Sequence, residues 1–160
     1  MIYSPKSKAN PYKTVSVQTA SPGRIVLMLF EGILRFTGAA KAAFNDPKLE
    51  TVRRNEQISN NLIRAQRIVT ELQANLDMNV PGELPQTLYK LYDYFFGKLN
   101  EANIHKRIEA ITEIEPMVQE LCNSWAEMLT KHEAENPAGQ PVSGPAPTPG
   151  QSGSGLFRSA

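Results

Sequence analysis

The sequence predicts an all-α protein: an antiparallel up-down four-helix bundle with an extended N-terminal arm and a disordered C-terminal tail. Three observations carry that prediction. Apolar residues recur at helical spacing through about residues 21–135, with no period-2 alternation long enough to argue a strand. Caps and breakers divide that stretch into four segments joined by short connections, which favours antiparallel neighbours. Composition then shifts on either side of it. With 160 residues, the chain is long enough for one domain with a real core.

Residues 1–20 carry Pro5, Pro11, three lysines and two tyrosines without helical periodicity, and read as an extended arm. Ser21-Pro22 opens the first helix, a serine N-cap with proline at the first helical position. Arg24 stands where a capping box wants Glu, a cation at the wrong end of the helix dipole. This helix is expected over 22–44, ended by Asn45-Asp46-Pro47. Asp46-Pro47 is expected to start the second helix, 47–76, by the same logic. Its seam is Ile58, Leu62, Ala65, Val69, Leu72 and Leu76.

DMNVPGELP, Asp77 to Pro85, is a breaker-rich turn, and the third helix is expected over 84–103. The chain turns around Ile104 to Lys106, and the fourth helix, 107–134, carries Ile108, Ile111, Ile114, Val118, Leu121, Cys122, Trp125 and Leu129. Pro116 lies inside it and deletes one backbone bond, so a kink or a break near Glu115 is expected. Residues 137–160 hold five prolines and five glycines, the composition of a flexible tail.

Bulk properties exclude several classes. Net charge is +1, from 17 basic and 16 acidic residues, with no basic helix face, so a nucleic-acid partner is not expected. The longest unbroken apolar run, Ile25 to Phe30, is far short of the ~20 residues a membrane span needs. The N-terminus has lysines but no apolar h-region, so no secretory signal is expected. Cys122 is the single cysteine, which rules out an intrachain disulfide or a cysteine metal cluster. A cytoplasmic setting fits best.

Hydrophobicity exceeds what one buried stripe per helix requires. Five of the twelve Phe, Trp and Tyr residues lie between Tyr89 and Phe96. Leu88, Leu91, Tyr92, Phe95, Leu99 and Ala102 make one stripe; Tyr89 and Phe96 sit a heptad apart on its flank, and Tyr94 points away. In the first helix Ile25, Leu29, Phe36 and Ala43 share a face backed by Gly32. Leu27, Phe30 and Leu34 form a second stripe nearly opposite. Apolar residues on two faces mean burial on two sides, by neighbouring helices, by the arm with Tyr3 and Tyr12, or by a partner.

Chemistry is sparse. His105 lies at a turn and His132 near a helix C-terminus, and neither belongs to a Glu-x-x-His pair. No phosphate loop or nucleophile elbow occurs. No catalytic, cofactor or metal site is expected.

Five stretches carry a family likeness: TASP (Thr19 to Pro22), MLFEG (Met28 to Gly32), LDMNVPGEL (Leu76 to Leu84), LYDYFFGKLNEAN (Leu91 to Asn103) and IEAITEIEPMVQELCNSW (Ile108 to Trp125). In this order and spacing the sequence resembles FliS, the flagellar export chaperone for flagellin, over roughly residues 10–130. The resemblance implies a cytosolic helical bundle that binds the disordered C-terminal segment of flagellin. Binding there prevents premature polymerisation and keeps the client competent for flagellar type III export. Other export or regulatory partners fit the same role. Arg24, Pro81, Phe96, Gly97 and Pro116 depart from the family pattern, and the tail bearing Leu156-Phe157 is longer than the family implies.

Helical geometry then nominates Leu27, Phe30, Leu34, Tyr89 and Phe96 for the partner surface. Tyr12, fixed after Asn10-Pro11, is the candidate lid over the groove. Two readings from other classes are a histidine phosphotransfer bundle using His105 and a structural assembly subunit.

Overall fold

The computed structural model describes residues 21–135; Tyr12 and the tail with Leu156-Phe157 lie outside the described residues. The described chain forms four helices: α1 Pro22–Phe44, α2 Thr51–Ala74, α3 Leu84–His105 and α4 Ile108–Glu135. Each packs on two neighbours, α1 on α2 and α4, and α3 on α2 and α4, so the four make the edges of a square. Cross-links fix the antiparallel directions. Arg24, near the start of α1, reaches Glu133 near the end of α4, and Lys41 at the other end of α1 reaches Glu115. Gln73 of α2 bonds Asp93 of α3, and Ser59 bonds Asn103. The all-α up-down bundle is therefore the fold.

Ser21 caps α1, its Oγ accepting from the Arg24 amide at 3.2 Å. The cation that the dipole disfavours is answered across the bundle by Glu133, 3.0 Å from the Arg24 guanidinium. The core seam of α1 is Gly23, Val26, Phe30, Ile33, Thr37 and Ala40, at spacings of three and four. Of the stripe Ile25, Leu29, Phe36 and Ala43, the first three are half-buried flanks on the α2 side and Ala43 is buried. Gly32 belongs to that side: a Cβ there would stand 2.8 Å from Ile68 Cδ1.

The second helix begins at Thr51, later than Asp46-Pro47 led one to expect. Asp46 caps a tight turn instead, its carboxylate accepting from the Lys48 amide at 2.9 Å. Arg54 holds that turn down by donating to the carbonyls of Asp46 and Leu49, each at 2.8 Å. At the far end the helix stops at Ala74, and Leu76 stays buried beyond it. The third helix ends on Lys106 in the left-handed region at φ 50°. Its ammonium folds back on the Asn103 carbonyl at 2.5 Å and on Ser59 Oγ at 3.2 Å, tying the turn to α2.

Pro116 does not break α4, which runs unbroken from Ile108 to Glu135. A proline inside a helix costs about 3 kcal/mol in isolation. Here Ile114 and Val118 on either side are fully buried, and Glu115 is held by Lys41 and Thr37. Tertiary packing outweighs the missing bond.

Rings fill the centre. Phe30 meets Trp125 edge-on at 5.8 Å and Tyr92 at 6.5 Å, and Tyr92 meets Phe95 at 6.4 Å. The Trp125 indole donates to the Gly23 carbonyl at 3.0 Å, joining α4 to the first turn of α1. Tyr92 is fully buried and its hydroxyl has no hydrogen-bond partner among the described residues. Burial also pushes its phenol far above the ordinary value.

Two substitutions test this packing by chemical denaturation. Tyr92→Phe removes an unpartnered buried hydroxyl, so stability should hold or rise by about 1 kcal/mol. A clear loss would show the hydroxyl to be bonded. Gly97 lies on an exposed face of α3, and among the described residues nothing stands within 4 Å of a Cβ there. Gly97→Ala should add about 1 kcal/mol from helix propensity alone, and an unchanged midpoint would contradict it.

Candidate partner-binding surface

One edge of the square, between α1 and α4, is open as a cleft of about 470 Å³. Leu27 and Leu34 of α1, two turns apart, form its floor with Cys122 and Ala126 of α4. Glu31 and Arg35 rim one side, Gln119 and Asn123 the other. An ion pair closes each end: Arg24–Glu133 at 3.0 Å, and Lys41–Glu115 at 2.5 Å with Thr37 Oγ1 donating to the same carboxylate at 3.1 Å. The floor is thus apolar, the rim polar and the ends fixed. Burial, with Glu31 nearby, pushes the Cys122 thiol upward, so it stays a neutral apolar contact.

The opposite edge, between α2 and α3, carries Tyr89 and Phe96. They are 42% and 41% exposed, unusual for large rings. Gln73 of α2 donates to the Tyr89 carbonyl at 3.1 Å and to Asp93 at 2.8 Å, while Ser59 donates to Asn103 at 2.7 Å. These bonds set the register and place both rings on the α2 flank of α3. Ile63, also exposed, lies on the stretch of α2 between them.

The nominated residues therefore do not form one surface. Leu27 and Leu34 lie on the α1–α4 edge, and Tyr89 and Phe96 on the far side of the bundle. Phe30 is fully buried among Tyr92 and Trp125, so it is a core residue and offers no surface, and Leu27 is nearly buried at 8% exposed and shows only an edge to the cleft. The reason is angular: Phe30 points to the bundle axis, and Leu27 and Leu34 fall about 60° and about 40° round toward α4. Sequence reasoning missed Ile63, Cys122 and Ala126 as parts of these edges. Only their neighbours across the helix pairs reveal them.

Tyr94 takes a third course. It faces α4, where its hydroxyl donates to Glu113 and Lys98 adds an ion pair at 3.2 Å. The ammonium also sits 5.8 Å from the Tyr94 ring centroid. Among the described residues no helix is long and apolar enough to cross a membrane. His105 is the exposed last residue of α3.

The sequence matches the family described as "Flagellar protein FliS" over residues 5–132. The chain belongs to the FliS family. It is 36% identical over 123 residues to the flagellar secretion chaperone FliS of Bacillus subtilis (strain 168), covering 75% of this chain and 86% of that protein. It is 31% identical over 122 residues to the FliS of Campylobacter jejuni, covering 74% and 88%. Against the FliS of Salmonella typhimurium it is 29% identical over 117 residues, covering 72% and 82%. FliS is a family of flagellar secretion chaperones, which implies a protein partner in flagellar assembly.

The Tyr94–Glu113 bond gives a titration prediction. Hydrogen bonds from Tyr94 first, and Lys98 second, hold the Glu113 carboxyl below its ordinary 4.5. A depressed carboxylate stabilises the fold above its ordinary value, and that help is lost as pH falls through the depressed one. Tyr94→Phe should move the Glu113 titration upward, read by NMR of the side-chain carboxyl. An unmoved titration would show that the phenol does not hold this group.

Proposed function

We propose that this chain is a cytoplasmic export chaperone that binds the C-terminal segment of flagellin, keeps it from polymerising early and holds it ready for flagellar type III export. The observation that carries the reading is an apolar cleft, with fixed ends, on a chain of the FliS family. A disordered client must recover several kcal/mol of ordering free energy, so it needs a long apolar surface. At roughly 25 cal/mol per Å², covering about 600 Å² yields on the order of 15 kcal/mol before those costs. Leu27 and Leu34 supply one stretch of that surface, and Tyr89, Phe96 and Ile63 another. Because the stretches lie on opposite edges, no single straight helix touches both. A client using both is two segments with a crossing between them.

Neither alternative gains support. A phosphotransfer histidine needs a mid-helix site, whereas His105 closes α3, where a cation favours the dipole. Nothing in the described surface favours a structural assembly subunit over a client-binding bundle.

Titration calorimetry against a flagellin C-terminal peptide tests the reading. Tight binding with negative ΔCp and a gain of helix is expected. Leu34→Asp should weaken it at least about tenfold, roughly 1.4 kcal/mol, and Phe96→Asp reports separately on the far edge. Absence of binding to the parent chain would sink the flagellin reading. Folded variants that both bind like the parent would instead sink the assignment of the two edges.

A further inference from the structure

A third surface, on the outer side of α1 and α2, is built differently. Phe36 of α1 carries two guanidiniums over one ring: Arg35 lies 5.2 Å and Arg64 of α2 5.7 Å from its centroid. Arg67 stands one turn beyond Arg64, and all three arginines are exposed. Among the described residues no carboxylate comes within 4.0 Å of any of the three. The terminal segments add no carboxylate side chain, because all 16 acidic residues fall between Glu31 and Glu135. Glu31 and Glu71, each one turn from an arginine of the group, make no ion pair with it. Four other basic side chains, Arg24, Lys41, Lys98 and Arg107, are paired with carboxylates; what sets this group apart is two guanidiniums on one ring.

Two like charges sharing one ring repel, and cation–π attraction offsets that only modestly at an exposed site. A carboxylate arriving at the group removes the repulsion and accepts two parallel bonds from a pre-oriented fork. The neighbourhood is also apolar: Phe36 is half-buried, and Met28, 57% exposed, stands two turns before Arg35 on the same side of α1. We propose that this face docks an acidic amphipathic helix of a second protein, its carboxylates on Arg35, Arg64 and Arg67 and its apolar side on Phe36 and Met28. Nucleic acid fits less well, since three arginines on a chain of net charge +1 make a short phosphate footprint. Arg35 also rims the α1–α4 cleft, whereas Arg64 and Arg67 do not line it, so those two arginines distinguish this surface from the flagellin reading.

The full chain tests it by fluorescence anisotropy with a labelled helical peptide bearing glutamates on one face and leucines on the other. Duplex DNA and phosphatidylserine vesicles serve as the other arms. Saturable peptide binding that weakens with salt is expected. The Arg64→Gln/Arg67→Gln double variant should lose at least about tenfold, equivalent to roughly 1.4 kcal/mol. Arg107→Gln, whose parent side chain is already paired, should bind as the parent does. Binding of the flagellin peptide should be unchanged in the double variant, so the two readings fail separately. No peptide binding, equal binding by the double variant, or tighter binding of DNA or vesicles through the same arginines would overturn the proposal.

Discussion

Where Phe30 points decides what the rest of this bundle can be. Its ring enters the centre, edge-on to Trp125 and tilted against Tyr92, so it ties α1 to both α4 and α3. That contact fixes the rotation of α1. With Phe30 inward, Leu27 and Leu34 must lie on the α4 side, and Gly32 and Phe36 on the α2 side. The cleft exists because α4 meets that flank of α1 with Cys122 and Ala126, side chains too small to fill it. Larger residues at those two positions would make an ordinary helix pair. The indole bond to the Gly23 carbonyl and the two end ion pairs tie the two helices together.

The five rings from Tyr89 to Phe96 divide three ways on one helix. Tyr92 and Phe95 belong to the core, and Tyr94 is a strut to Glu113 of α4. Tyr89 and Phe96 remain, large and exposed beside α2. A helix in a square bundle has two neighbours, so its buried arc is wide, and half of an apparent surplus is absorbed by ordinary packing. What is left over is smaller than the sequence implied, but it is localised. Two rings and an isoleucine exposed along one edge are a patch of the kind that marks interaction.

Much of the architecture was legible in the sequence for physical reasons. The seam of α2 is written in Ile, Leu, Ala and Val at strict spacing, and Ser21-Pro22 is a start signal whose bond the structure contains. The seam of α1 is harder to read because two of its members, Gly23 and Thr37, are not apolar, and Ala40 is small. Without them the eye follows Ile25, Leu29 and Phe36, which are larger but flank the core. Thr37 is buried because it serves Glu115, a partner 78 residues away that no local pattern predicts. Pro116 follows the same rule: intrinsic propensity argues for a kink or a break, and contacts made by Glu115, Ile114 and Val118 keep the helix unbroken. The start of α2 failed on turn chemistry, since Asp46 serves a turn as well as it serves a helix.

The candidate edges were the least legible, because an edge belongs to two helices and a stripe belongs to one. Periodicity ranks residues by direction around a single axis and cannot say which neighbour stands there. It therefore joined Leu27 to Phe30, although only Leu27 keeps an edge at the cleft and Phe30 is wholly core. It also set Phe96 and Leu34 side by side as one kind of surplus, when the bundle lies between them. The distinction has a mechanical consequence. A client lying on the α1–α4 edge touches a floor braced by Trp125 and two ion pairs, so the chaperone need not rearrange to receive it. On the proposed reading, ordering then falls on the client, because a cleft already formed in the free bundle can take up and give up a segment without itself unfolding.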